Sequence, residues 1–206
     1  MNKKITVYTS ITGGKDSPRD DIKVFSSYNR FKNPSLNAKI YKCLPHLFLD
    51  PETKYSIWVD GNLFLKVDPN IFVDMMDGDI TVFKHPDRET IFEEAVVCKD
   101  NNLDEPRIID EQISRYKQEG FSEKKLGACF LIVRKHTNEI ARLNEQWWAE
   151  ITRGSVRDQI SFPYVYQDAQ YLNLPDVREN SYFRREYHKK GKGLFQTMGN
   201  LFRKSL

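Results

Sequence analysis

The sequence predicts a single α/β domain with a mostly parallel central sheet covered by helices on both faces. Three observations predict it. Short β-branched and aromatic runs alternate with segments whose apolar residues recur at helical spacing. The runs are apolar at successive positions, as in strands buried on both faces. No linker, internal repeat or low-complexity stretch divides the 206 residues, a length that suits one core.

Each element has its own signal. Ile5 to Ile11 is β-branched and stops at Gly13-Gly14, so it reads as a first buried strand, and Ile22 to Ser26 as a short second one. Ser35 can cap a helix that shows Leu36, Ile40, Cys43, Leu44 and Leu47 on one side, with Pro45 ending or kinking it. Tyr55 to Val59 is a strand. Asp68 as N-cap, Pro69 in the first turn and Gly78 as the stop delimit the next helix. Ile80 to Phe83 is a strand. Asp104 and Pro106 open a helix with Ile109, Ile113 and Tyr116 in register, stopped by Gly120. Ala128 to Val133 is strongly apolar and reads as a core strand. Asn138 to Thr152 is a helix ended by Gly154. Strands separated by helices imply parallel neighbours.

Composition narrows the class. Hydrophobic residues make up 39% and charged residues 30%, a globular balance. The net charge of +3 is unevenly spread: the stretch from Arg184 to Lys204 is rich in Lys and Arg and holds one acid, Glu186. The division expected is a body over 1–183 and a basic, partly amphipathic tail over 184–206. Such a tail suits phosphates, nucleic acid or an anionic lipid surface. Leu194, Phe195, Met198, Leu201 and Phe202 fall at helical spacing within it, which fits a helix lying on an anionic bilayer or one packed on its own domain. Three scattered cysteines, Cys43, Cys98 and Cys129, form neither a disulfide framework nor a metal pattern, so a reduced, cytoplasmic setting is expected. The start does not read as a signal peptide. No stretch reaches the ~20 apolar residues that span a bilayer.

The most informative segment is YSIWVDGN. A buried strand runs into Asp60-Gly61-Asn62. Ligands of open α/β sheets sit beyond the carboxyl ends of the strands. Gly61 permits a tight turn or a close approach, and Asp60 and Asn62 offer oxygens of the kind Mn²⁺ or Mg²⁺ takes while bridging to diphosphate. Asp-Gly is also ordinary turn chemistry, and on the local pattern alone the turn is the readier reading.

The segment NAKIYKCLPHLFLDPETKYSIWVDGNLFL, with KHPDRETIFEEA, GACFLIVRKH, WW and RDQISF after it, resembles a glycosyltransferase-like family once catalogued as a domain of unknown function, with plant, bacterial and viral members. The family is similar to the family 8 retaining glycosyltransferases of GT-A fold. The resemblance covers roughly Lys4 to Val165. It implies a GT-A-like, Rossmann-like domain that transfers a sugar from a nucleotide-sugar donor, UDP-linked, with Mn²⁺ or Mg²⁺. It places Asp60 at the first Asp of the D-x-D metal signature and Asn62 at the second, where an amide replaces the carboxylate. It puts Thr9, Ser10 and Ile11 beside the nucleotide, Lys39 and Lys42 near the phosphates, and Asp158 and Gln159 at the sugar and reaction centre, with Glu94 as an acid for sugar hydroxyls; Arg157, next to Asp158, reads as its ion-pair partner or as a phosphate ligand. His188 corresponds to a further metal ligand and Lys192 to a diphosphate ligand.

Structural roles compete at several of these positions. Ser155 and Asp158 have the spacing of a capping box. Glu93 and Glu94 fit the solvated face of a helix, His85 a loop, and Trp147-Trp148 core packing. The acceptor expected is a glycan or lipid-linked glycan of polysaccharide biosynthesis, at the inner membrane face. A nucleic-acid base, as in phage-type glucosylation, and a catalytically silent sugar-nucleotide binding module are the alternatives.

Overall fold

The computed structural model describes residues 3–12, 16–122, 124–174 and 176–186. In chain order its elements are β1 (Ile5–Ser10), β2 (Lys23–Phe25), α1 (Pro34–Cys43), β3 (Tyr55–Val59), β4 (Leu63–Leu65), α2 (Pro69–Asp74), β5 (Ile80–Lys84), α3 (Ile91–Asp100), α4 (Pro106–Gln118), β6 (Gly127–Lys135), α5 (Asn138–Arg153), α6 (Asp158–Val165), β7 (Gln170–Leu172) and β8 (Phe183–Arg185).

Six strands form one sheet in the order β2-β1-β3-β6-β5-β7, while β4 and β8 pair separately. Five of the six point the same way; β6 runs against both its neighbours, β3 and β5. The mostly parallel sheet is therefore present, with one reversed strand that apolarity could not orient. The register slips at Val82/Phe83, where β5 meets the start of β6.

The apolar runs are buried on both faces. Tyr8, Trp58 and Ile132 pack with Ile40 and Tyr41 of α1, Trp147 and Ile151 of α5 and Phe162 of α6. Ile57, Val59 and Val133 face the other side with Phe72 of α2 and Phe183 of β8. A third cluster joins Ala95 and Cys98 of α3, Ile109 and Tyr116 of α4, and Ile160 of α6. All three cysteines are buried and unbonded to one another. No described helix is long and apolar enough to cross a membrane.

Several element ends differ from expectation for local reasons. Asn33, not Ser35, caps α1: its side chain accepts from the Ser35 N–H, and Pro34 takes the first turn. Asp104 does not cap α4; its carboxylate accepts from Ser155 Oγ at 2.7 Å and from the Val156 N–H at 2.8 Å. Ser155 and Asp158 form no capping box, because α6 starts only at Asp158. The acidic pair 93–94 does lie on a helix, and there Thr90 and Glu93 form a capping box. Asp68, Pro69 and Gly120 play the expected parts, Gly120 at φ +80°; Gly78, at φ +119°, is not the stop of α2, which ends at Asp74 with Met75 as its C-cap.

Candidate active site

The chain direction explains what gathers at one edge of the sheet. β1, β3 and β5 end there, and the reversed β6 begins there. The edge thus receives Asp60 after β3, His85 after β5 and Ala128–Phe130 from β6. The Asp60 N–H donates to the Phe130 carbonyl at 2.8 Å, and the His85 N–H to Leu126 at 2.8 Å, fixing both strand ends to β6. The N-terminus of α6 and one side of α1 close over this edge. Together they wall a cavity of about 510 Å³ lined by Lys39, Lys42, Asp60, Glu94, Arg157, Asp158 and Gln159 among others.

A buried ion triad forms the floor. Lys39 and Lys42 are three residues apart on α1 and share a face. Lys39 Nζ lies 3.0 Å from Asp158, and Lys42 donates to the other carboxylate oxygen. The Lys42 side chain is 5% exposed and that of Asp158 9%. Burial alone would raise the pKa of Asp158, but Lys39, Lys42 and Arg157 outweigh it and hold the carboxyl well below its usual range. Burial likewise works against the Lys42 charge, and Asp158 and Asp60 more than reverse it. Asp158 therefore stays ionised and committed to the lysines.

Asp60 is the more accessible carboxylate, 34% exposed, with Lys42 Nζ at 3.6 Å. Its Oδ1 accepts from Trp58 Nε1 at 3.0 Å. The Leu63 N–H donates to the Asp60 carbonyl at 2.9 Å, so Asp60–Leu63 is indeed a turn as well as a candidate site. Gly61 is needed for close approach rather than for a left-handed backbone: a Cβ there would stand 2.6 Å from Asp16 Oδ2. Arg19 braces the same turn, its NH1 donating to the Leu63 carbonyl at 2.5 Å and to Gly61 at 3.4 Å. Asn62 is buried. Its amide N donates to the Glu186 carbonyl at 2.7 Å, and the Glu186 N–H returns a bond to the Asn62 carbonyl at 2.8 Å. Its Oδ1 is buried with no hydrogen-bond partner among the described residues.

A second buried carboxylate organises the far wall. Glu94, 2% exposed, accepts from Arg88 Nε at 2.7 Å, stands 3.8 Å from Arg157 and accepts from Cys98 Sγ at 3.3 Å. Arg88 NH2 in turn lies 2.9 Å from His85 Nε2. Burial, then the Arg88 charge, lower the pKa of His85. Gln159 donates through Nε2 to the Gly127 carbonyl at 3.2 Å, which leaves its Oε1 for the cavity.

The structure thus brings together Lys39, Lys42, Asp60, Glu94, Arg157, Asp158 and Gln159 of the residues selected from sequence. Thr9, Ser10 and Ile11 sit at the end of β1 but do not line this cavity, and the hydroxyls of Thr9 and Ser10 are buried without partners among the described residues. Asn62 lies behind the Asp60 turn. His188 and Lys192 fall outside the described residues, as does most of the basic tail. Arg184, Arg185 and Glu186 were assigned to that tail from sequence, yet the first two pair with β4 and Glu186 holds Asn62. Arg88, Arg178 and Arg185 were missed; all three line the cavity. Arg88 was readable from its place in KHPDR, but nothing local marks the other two. A larger cleft of about 630 Å³ lies at the opposite end of α6, beside Glu119, Glu150 and Tyr164, and holds none of the residues selected from sequence.

The sheet edge of this α/β domain presents cations around two accessible carboxylates, Asp60 and Asp87. Residues 22–188 match the family described as TOD1/MUCI70, glycosyltransferase-like domain, and the chain belongs to that family. It is 30% identical over 175 residues to alkaline ceramidase TOD1 of Arabidopsis thaliana, covering 78% of this chain and 37% of that protein. It is 32% identical over 143 residues to the probable hexosyltransferase MUCI70 of the same plant, covering 63% and 24%. The chain therefore spans well under half of either relative. A solved glycosyltransferase involved in glycosylation of the major capsid of PBCV-1 superimposes with a TM-score of 0.50 at 9% identity, over 97% of this chain and 98% of that one, a likeness of fold.

Proposed function

We propose that the domain transfers a sugar from a nucleoside-diphosphate donor, UDP-linked, to a hydroxyl of a glycan or lipid-linked glycan, with retention at the anomeric carbon. The supporting observation is the charge of the cavity: six cations, Lys39, Lys42, Arg88, Arg157, Arg178 and Arg185, against four carboxylates, Asp60, Asp87, Glu94 and Asp158. Two of those carboxylates, Asp158 and Glu94, are already matched by buried partners. The excess suits a diphosphate, whose departure needs its growing negative charge neutralised.

In the transfer, the bond between the anomeric carbon and the β-phosphate oxygen breaks with its electron pair staying on the phosphate. The acceptor oxygen bonds to the same carbon, and its proton passes to the departing phosphate oxygen. Asp158 is held by two lysines, so it orients them rather than attacking the sugar. Gln159 Oε1 and the Glu94–Arg88 pair orient the sugar's hydroxyls. Retention by attack from the leaving-group side asks for no free protein nucleophile.

A divalent cation fits the Asp60 turn in part. Among the described residues no three His, Cys, Asp or Glu side chains gather as a ligand set. Asp60 and the orphaned Asn62 Oδ1 are two hard oxygen donors at the right edge. They would hold Mn²⁺ or Mg²⁺; His188, the further ligand that the resemblance implies, lies outside the described residues. The ion would supply further charge neutralisation on the diphosphate.

The test is a thermal-shift panel of nucleoside diphosphates and nucleotide sugars, with and without Mn²⁺. Ligand that binds the folded state raises the melting temperature. One base should stand out, and Asp60→Ala should abolish the Mn²⁺-dependent part of its shift. Released nucleoside diphosphate should then be detected from the matching sugar donor. A panel with no shift and no release from any donor would remove the proposal.

A further inference from the structure

Among the described residues of the cavity wall, Arg185 stands outside the ion pairs. Arg185 lies on β8, lines the cavity, and lays its guanidinium over the Phe130 ring at 4.6 Å from the centroid. Its Nε is buried with no hydrogen-bond partner among the described residues. Among the described residues its side chain makes no ion pair within 4 Å. The stretch 187–206 cannot supply a side-chain counter-ion, because it contains neither Asp nor Glu. The other cations of the wall have ion partners: Lys39 and Lys42 pair with Asp158, Arg88 pairs with Glu94, and Arg157 stands 3.8 Å from Glu94, its own Nε also lacking a hydrogen-bond partner among the described residues. A buried donor left unpaired costs free energy, and more so a charged one.

We infer that Arg185 is an anion-binding residue of the donor site, and that the group completing it is the leaving diphosphate. The guanidinium presents a planar fork that matches two phosphate oxygens, and stacking on Phe130 holds the plane in place before the ligand arrives. Its location supports the choice of anion. Burial works against the Arg185 charge, and the Asp60 carboxylate opposes that effect. The hydrogen bonds between Asn62 and Glu186 tie β8 directly to that turn. Lys42 approaches Asp60 from α1 at 3.6 Å and Arg185 lines the same cavity from β8, so a diphosphate held there is met by cations from two elements. β8 is thereby part of the site: it carries the residue and is anchored by the amide standing at the second position of the D-x-D signature.

The inference rests on the donor reading but is separable from it by its probe. Inorganic pyrophosphate, titrated calorimetrically in chelator-treated buffer, tests the anion site without donor, acceptor or metal. The unaltered chain should bind pyrophosphate, and Arg185→Gln should weaken binding about 10- to 100-fold, the loss expected for a charge-assisted pair of hydrogen bonds. Arg185→Lys should recover part of it. Arg184→Gln, next in the strand and exposed, should match the unaltered chain. Melting temperatures of all four proteins establish that each is folded. Arg185→Gln within twofold of the unaltered chain, or no pyrophosphate binding by the latter, would overturn the inference. Pyrophosphate binding that depends on Arg185 in a protein that turns over no nucleotide sugar would keep the anion site and remove the transferase reading. Full transferase activity in Arg185→Gln would do the reverse.

Discussion

Asp158→Asn isolates the contribution of the ion triad. The amide keeps the side chain's shape and removes its charge, leaving Lys39 and Lys42 facing a neutral group. Lys39 is 17% exposed and can be partly re-solvated; Lys42, at 5%, cannot. Stranding one member of a buried pair costs about 3–5 kcal/mol. Asp60 lies 3.6 Å from the same ammonium and offsets part of that, though a third exposed and so screened. The lower end, about 3 kcal/mol, is therefore expected. For a domain of this size that lowers the melting temperature by about 6–12 °C. Lys42→Met in the same chain removes the stranded charge, and exchanging a buried pair for apolar volume is close to neutral. The double variant should thus be more stable than Asp158→Asn alone. Urea unfolding followed by tryptophan fluorescence and far-UV circular dichroism measures all four corners of the cycle. Asp158→Asn within about 0.5 kcal/mol of the unaltered chain, or strictly additive variants, would refute the reasoning.

Four further outcomes follow from the same geometry. Asn62→Asp, which would restore the acidic D-x-D pattern, should destabilise by about 1–3 kcal/mol because a carboxylate cannot donate to the Glu186 carbonyl 2.7 Å away; a chain of equal or greater urea stability refutes this. Glu94→Gln should tighten pyrophosphate binding by releasing Arg88 and Arg157, whereas weaker sugar-donor binding with unchanged pyrophosphate binding would mark Glu94 as a direct sugar contact. Gly61→Ala should cost under about 1 kcal/mol, since the atom its Cβ meets is the end of the Asp16 side chain; loss of the cooperative unfolding transition would show that the turn cannot yield. The pH dependence has a definite sign. The folded pKa of Asp158 is depressed, so its contribution is complete above the unfolded value of about 3.9 and is lost as pH falls below it. That of Lys42 is raised, so its contribution is complete below about 10.4 and is lost as pH rises past it. The stability gap between the unaltered chain and Asp158→Asn should be constant near neutrality and narrow below about pH 4; a gap that widens with acid contradicts the assignment.

Much of the site was legible because its residues sit where local signals are strong. Asp60 follows a strand whose apolar run is unbroken, and Lys39 and Lys42 are spaced to share one face of α1. Asp158-Gln159 begins a helix. The role of Asp158 was less legible. A serine three residues ahead suggests a capping box, but Ser155 is engaged by Asp104 and the carboxylate is left for two lysines more than a hundred residues away in the chain. Arg185 was hidden for a related reason. Within a basic stretch each cation resembles its neighbours, and the pairing of β8 with β4 across about 120 residues distinguishes the half-buried Arg185 from the exposed Arg184.

By itself the sequence determined the alternation of strands and helices, the burial of the sheet on both faces and the carboxylate projecting from its edge. These follow from apolar periodicity, glycine and proline punctuation and side-chain type, all of which act between near neighbours in the chain. Only the tertiary structure decided that β6 runs in reverse, that Asn62 holds β8, and which cations are neutralised and which is left to meet a ligand. Those depend on contacts between segments remote in sequence, where burial removes water and makes the choice of charge partner decisive.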